Sequence, residues 1–138
     1  MLDISKLKIM KSILLSFLML FSLNIFAQDQ PFYLRAKNVT FGIRANENAE
    51  INWIEEQKEC SILVECYKTK IIVNSQKLQT YHILYQVSHD EQATVWRCKS
   101  GEGTTCNVRM STDPVYPSLL ALMVEFNDAV WFYVCTRD

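Results

Sequence analysis

The chain has 138 residues, 49% of them hydrophobic and 21% charged, with 14 basic against 15 acidic side chains and a net charge of −1. That balance argues against a nucleic-acid partner, because a phosphate backbone is held by clustered Lys and Arg. With two histidines and five cysteines, few side chains are available for acid–base or metal chemistry.

Residues 10–27 read MKSILLSFLMLFSLNIFA. A lysine, an apolar run and a small residue ahead of Gln28-Asp29-Gln30 are the parts of a secretory signal peptide. The apolar run from Ile13 to Phe26 covers 14 residues, short of the ~20 that a membrane-crossing helix needs. The expectation is a signal peptide over 1–27, with Met10 the better start than Met1 and cleavage after Ala27. Its style resembles the leaders of Gram-negative secretory proteins. The remaining 111 residues, 28–138, carry 11 basic and 14 acidic side chains, a net charge of −3. They are long enough for one domain with its own core. The first cysteine is Cys60, so no lipid-attachment cysteine follows the cut. The expected product is soluble, periplasmic or extracellular, and without a stable membrane anchor.

Past the leader, short alternating runs are separated by turn residues, the signature of an all-β domain. Phe32 to Arg44 alternates loosely, with Val39, Phe41 and Ile43 on one face and Asn38, Thr40 and Gly42 on the other. Ala45-Asn46-Glu47-Asn48 is a turn, and Ile51 to Glu55 forms a short strand with Ile51 and Trp53 on one face. A polar connection, Gln57-Lys58-Glu59, precedes a strand carrying Ile62, Val64 and Cys66 on one side. Tyr67-Lys68-Thr69 turns the chain, Ile71 and Val73 continue it, and Asn74 to Lys77 turns it again. In Gln79 to Val87, Tyr81, Ile83, Tyr85 and Val87 recur at period two and are expected to share a face.

Two hairpins can be checked internally. Centring Thr94–Met110 on Glu102, within Gly101-Glu102-Gly103, sets Ser100 opposite Thr104, Cys98 opposite Cys106 and Trp96 opposite Val108. The apolar faces then coincide, whereas a one-residue slip would separate them. A turn at Asn127-Asp128 sets Leu120 against Cys135, Leu122 against Tyr133 and Val124 against Trp131. Its other face pairs Ala121 with Val134 and Met123 with Phe132, also apolar. A hairpin apolar on both faces is interior or is covered on its outer side. Ser118 to Phe126 is rich enough in Leu, Ala and Met to suit a helix as well; the hairpin closure favours a strand.

Disulfides are permitted in an exported protein. Cys98 and Cys106 are the first candidates, read as a non-hydrogen-bonded antiparallel pair with Cα atoms ~4.5 Å apart. Cys66 with Cys135 is a second pairing. An odd number of cysteines leaves one thiol over. The spacings contain no paired metal knuckle and no C-x-x-C motif. His82 reads as a solvated strand residue and His89 as part of the polar turn Ser88-His89-Asp90-Glu91. Glu47, Glu50, Glu55, Glu56 and Glu59 are the densest acidic stretch, read as a solvated edge that discourages strand association. The many aromatics are first of all core.

The expectation is an all-β domain: a small antiparallel meander of eight or nine short strands forming a barrel or a two-layer rolled sheet. In outline it resembles compact barrels of the lipocalin or avidin kind, without their signature residues. The function expected is a non-enzymatic binding or protein-interaction module, needing no cofactor and no metal. Its partner, an unidentified protein or small ligand, would meet an edge strand or the outer face of the last hairpin, where Met123, Phe132 and Val134 are the candidates. A small-ligand barrel with an interior cavity is the alternative. A small envelope hydrolase using the carboxylates or His89 is the second.

Overall fold

The computed structural model describes residues 30–54 and 56–138; the expected signal peptide and Glu55 lie outside them. The described chain forms nine strands and no helix: β1 Phe32–Ile43, β2 Asn52–Trp53, β3 Lys58–Cys66, β4 Lys70–Val73, β5 Gln79–His89, β6 Ala93–Ser100, β7 Thr105–Thr112, β8 Leu119–Glu125 and β9 Ala129–Arg137. Neighbours in sequence pair antiparallel from β3 to β9, and β9 then pairs with β1. Eight strands thus close into a barrel, and β2 adds a short ninth at the end of β1. Residues 119–125, the stretch that could have been helical, are strand β8.

Closure depends on the first strand. One edge of β1 pairs with β3 through residues 32–39, and the other pairs with β9 through residues 34–43. Along β9 the register steps from Ala36↔Cys135 to Asn38↔Val134, so Lys37 is the extra residue of a β-bulge. Before the bulge Leu34 and Ala36 are buried; after it Val39 packs against the core and Phe41 packs against Trp131, with ring centroids 4.4 Å apart. The bulge explains why alternation in this segment is loose.

Side chains of every barrel strand fill the interior. Leu34, Val64, Ile71, Val108, Leu122 and Tyr133 are each 1% exposed or less, and each such side chain contributes about 1.5–3 kcal/mol relative to exposure. Tyr81 and Trp96 add two further buried rings. The Tyr81 hydroxyl donates to Gln79 Oε1, and the same amide hydrogen-bonds the Tyr133 phenol. One glutamine at the barrel end thus serves two buried rings, and no buried side-chain polar atom among the described residues lacks a partner.

The two hairpins have the expected registers, Cys98↔Cys106 and Trp96↔Val108 in one, Leu122↔Tyr133 and Met123↔Phe132 in the other. Gly103 closes the first at φ +89°, a backbone conformation that suits glycine.

Strand β5 departs from the expected period of two. Tyr81 and Ile83 do face inward, but bulges after Ile83 and after Gln86 shift the register to Tyr85↔Arg97, Gln86↔Trp96 and Ser88↔Val95. Each extra residue resets the alternation, so Tyr85 and Val87 are exposed instead of sharing the buried face, and Leu84 is exposed beside them. The polar connection before β3 is also shorter than expected, because Lys58 and Glu59 are already strand.

Candidate binding groove

The outer face of the barrel beside the β8–β9 hairpin carries a concave surface. Across three strands, Thr40 of β1, Phe132 of β9 and Met123 of β8 form one row. Residues 44–54 fold back over this row. They can do so because β1 carries a glycine: a Cβ at Gly42 would sit 2.4 Å from Ile51 Cγ2 and 2.9 Å from Trp53 Cε3. Ile51 and Trp53 therefore occupy the space a side chain would take, and the neighbouring Val130 becomes fully buried.

This segment is tied down at both ends. Arg44 N donates to Asp128 O (3.1 Å), and its guanidinium donates to Phe126 O, Asn127 O and Glu47 O. At the far end Ile54 N donates to Phe41 O (3.1 Å), continuing the β1–β2 pairing. Between them, Asn46 caps its own turn by accepting from the backbone N–H groups of Asn48 and Ala49.

The result is a shallow groove of about 420 Å³ lined by Thr40, Trp53, Gln57, Met123 and Phe132. Trp53 meets Phe132 edge-on, with centroids 6.2 Å apart and planes at 70°. An offset or edge-to-face pair is the favoured aromatic geometry, so the floor is held rather than loose. Trp53 nevertheless remains 43% exposed. Met123 and Phe132, two of the residues expected on the outer face, are brought together here. Val134 lies one step along β9, opposite Ala121 and Asn38, and does not line the groove. Trp53, Gln57 and Thr40 were not anticipated. The legible signal was Gly42, a glycine within a strand one residue from its end, which marks close approach by another segment.

The remaining candidates stay apart. His89 is exposed at the end of β5, with Nδ1 2.6 Å from Thr94 Oγ1, and His82 is exposed on the same strand. Glu47, Glu50, Glu56 and Glu59 are exposed along the 44–59 segment. Among the described residues no three His, Cys, Asp or Glu side chains are placed to hold a metal ion.

The disulfide expectation is corrected: all five cysteines are free. Cys98 does stand opposite Cys106, but the site is of the other type. Ser100 N donates to Thr104 O (2.8 Å), so that pair is hydrogen-bonded. Alternation along the ladder makes Cys98/Cys106, two residues further in, hydrogen-bonded as well. Such pairs hold their Cβ atoms further apart than the other type, whereas a bridge needs them within about 4.5 Å. Cys66 and Cys135 are likewise buried and unbridged. Burial pushes the thiols of Cys66, Cys98 and Cys135 up to about 12 and that of Cys106 to about 11. They hold their protons at neutral pH and are not nucleophiles.

Fold and groove together define a class, a small closed antiparallel β-barrel with an aromatic groove on its outer wall. No protein-family model, curated protein or solved structure matches the chain.

Proposed function

We propose that this protein is an exported, non-enzymatic binding module that takes an apolar side chain of a partner protein into the groove beside Trp53. The observation that carries the reading is the half-exposed Trp53, anchored edge-on against Phe132 and flanked by Met123. Anchored, partly exposed aromatics are the residues on which binding energy concentrates. Gln57 and Thr40 supply a polar rim around the apolar floor. A protein partner suits an open groove better than a small ligand does, since small-ligand pockets enclose most of their guest. The interior alternative is disfavoured by the buried rings of Tyr81, Trp96 and Tyr133 in the core. The export half of the reading rests on residues 10–27.

The test is affinity capture from the native envelope fraction with the wild-type protein and with Trp53→Ala and Phe132→Asp, each checked for folding by circular dichroism. The expected result is a discrete partner retained by the wild type and lost from both variants. Equal recovery on all three would refute the groove. Intact mass of the protein from that fraction should correspond to a chain starting at Gln28; an uncleaved cytosolic chain would refute export.

A further inference from the structure

The two long edges of β5 are not equivalent. β4 accompanies it only from Gln79 to His82, and the last contact on that side is Ile83 N donating to Thr69 O (2.9 Å). From Leu84 to His89, β5 pairs with β6 alone among the described residues. The barrel is therefore closed along most of its wall but leaves the end of β5 with an open edge. Leu84, Tyr85 and Val87 are 52%, 60% and 51% exposed beside it. Residues 84–88 read LYQVS, with no charge. Open edges ordinarily carry a charge, often lysine, or a bulge that turns them away from neighbours. Here the bulges fall at the two places where Leu84 and Val87 are added, and both side chains remain on the surface.

Charges at the two ends of this edge indicate what it fits. At its start stands the β3–β4 turn with exposed Lys68, and Lys70 pairs across to His82. At its far end are Asp90 and Glu91, both exposed. We propose that two copies of this chain join through residues 84–89 as antiparallel strands about a two-fold axis near Gln86–Val87. That arrangement sets Asp90 and Glu91 of each copy beside Lys68 and Lys70 of the other, two complementary clusters by symmetry. A parallel pairing would bring like charges together. The uncharged centre supplies backbone pairing and apolar contact between Leu84, Tyr85 and Val87. This edge belongs to the β5–β6 hairpin, whereas the groove is built on β1, β2, β8 and β9, so the failure of one proposal leaves the other intact.

Sedimentation velocity on the full chain, expressed with its own N-terminal residues, tests the proposal across a wide concentration range. A reversible monomer–dimer equilibrium is expected. Val87→Lys should raise the dimer dissociation constant at least about tenfold, the equivalent of 1.4 kcal/mol. Glu91→Lys should weaken it too, and adding Lys68→Glu to Glu91→Lys should restore it, with circular dichroism confirming the barrel in each. A monomer at every concentration would overturn the proposal. So would a dimer indifferent to Val87→Lys in a folded variant, or a Lys68→Glu/Glu91→Lys pair no tighter than Glu91→Lys alone.

Discussion

Cys98 and Cys106 face each other across the β6–β7 hairpin, both buried, in a hydrogen-bonded register that leaves them as two thiols. A bridge there would close a short loop and add about 2–3 kcal/mol, raising the melting temperature by roughly 10 °C. The free-thiol state predicts instead that dithiothreitol leaves the melting temperature unchanged. Alkylation of the unfolded chain without prior reduction should then label all five cysteines. Three labelled thiols and a reductant-sensitive melting temperature would contradict it.

Deleting Lys37 should leave the inward face of β1 intact. Without the extra residue Asn38 follows Ala36 directly, and Val39 and Phe41 fall in strict alternation with Leu34 and Ala36. The expected result in urea unfolding is a deletion variant that still folds, with a loss inside the ordinary range of about 0.5–3 kcal/mol, beside a Lys37→Ala variant within about 0.5 kcal/mol of wild type. A deletion variant that does not fold would contradict the assignment of Lys37 as the inserted residue.

Gly42→Ala should destabilise by about 1–3 kcal/mol, the range for forcing a methyl into occupied space. The added Cβ meets Ile51 Cγ2 and Trp53 Cε3, so Trp53 shifts and the groove opens. The expected readout is a lowered urea midpoint with a changed environment for Trp53 in tryptophan fluorescence; no change in either would contradict the packing described.

On the outer wall, Glu65 accepts hydrogen bonds from Asn74 Nδ2 (2.9 Å) and the Tyr67 hydroxyl (2.7 Å), which hold its carboxyl below the usual value. A folded-state value below the unfolded one stabilises the protein above the unfolded pKa, near 4.3, and that contribution is lost as pH falls through the folded value. Glu65→Gln should therefore flatten the acid limb of the stability curve below about pH 4.5. Superimposable limbs for the two proteins would show that the carboxylate contributes nothing there.

The hairpins were legible because each has two apolar runs whose faces coincide in only one register, as in Trp96↔Val108 and Leu122↔Tyr133. The bulges of β5 were not. Tyr81, Ile83, Tyr85 and Val87 keep a perfect period of two through them, and nothing local distinguishes an inserted residue from a continuing strand. Closure was open for a different reason. Pairing Phe41 with Trp131 joins residues from opposite ends of the domain, and alternation within a segment says nothing about its distant neighbour. Half of the groove followed from the two-sided apolarity of the last hairpin. The other half required seeing that Gly42 marks the landing place of Trp53.

The central claim, that the groove beside Trp53 receives a protein partner, is tested most directly by photocrosslinking in the native cell. A photoreactive amino acid is placed at Gln57, on the groove rim, and in a separate protein at Lys99, on the β6 wall. The expected result is a single heteromeric adduct from position 57 that disappears with Trp53→Ala, and none from position 99. No adduct from position 57, or the same adduct from both positions, would contradict it.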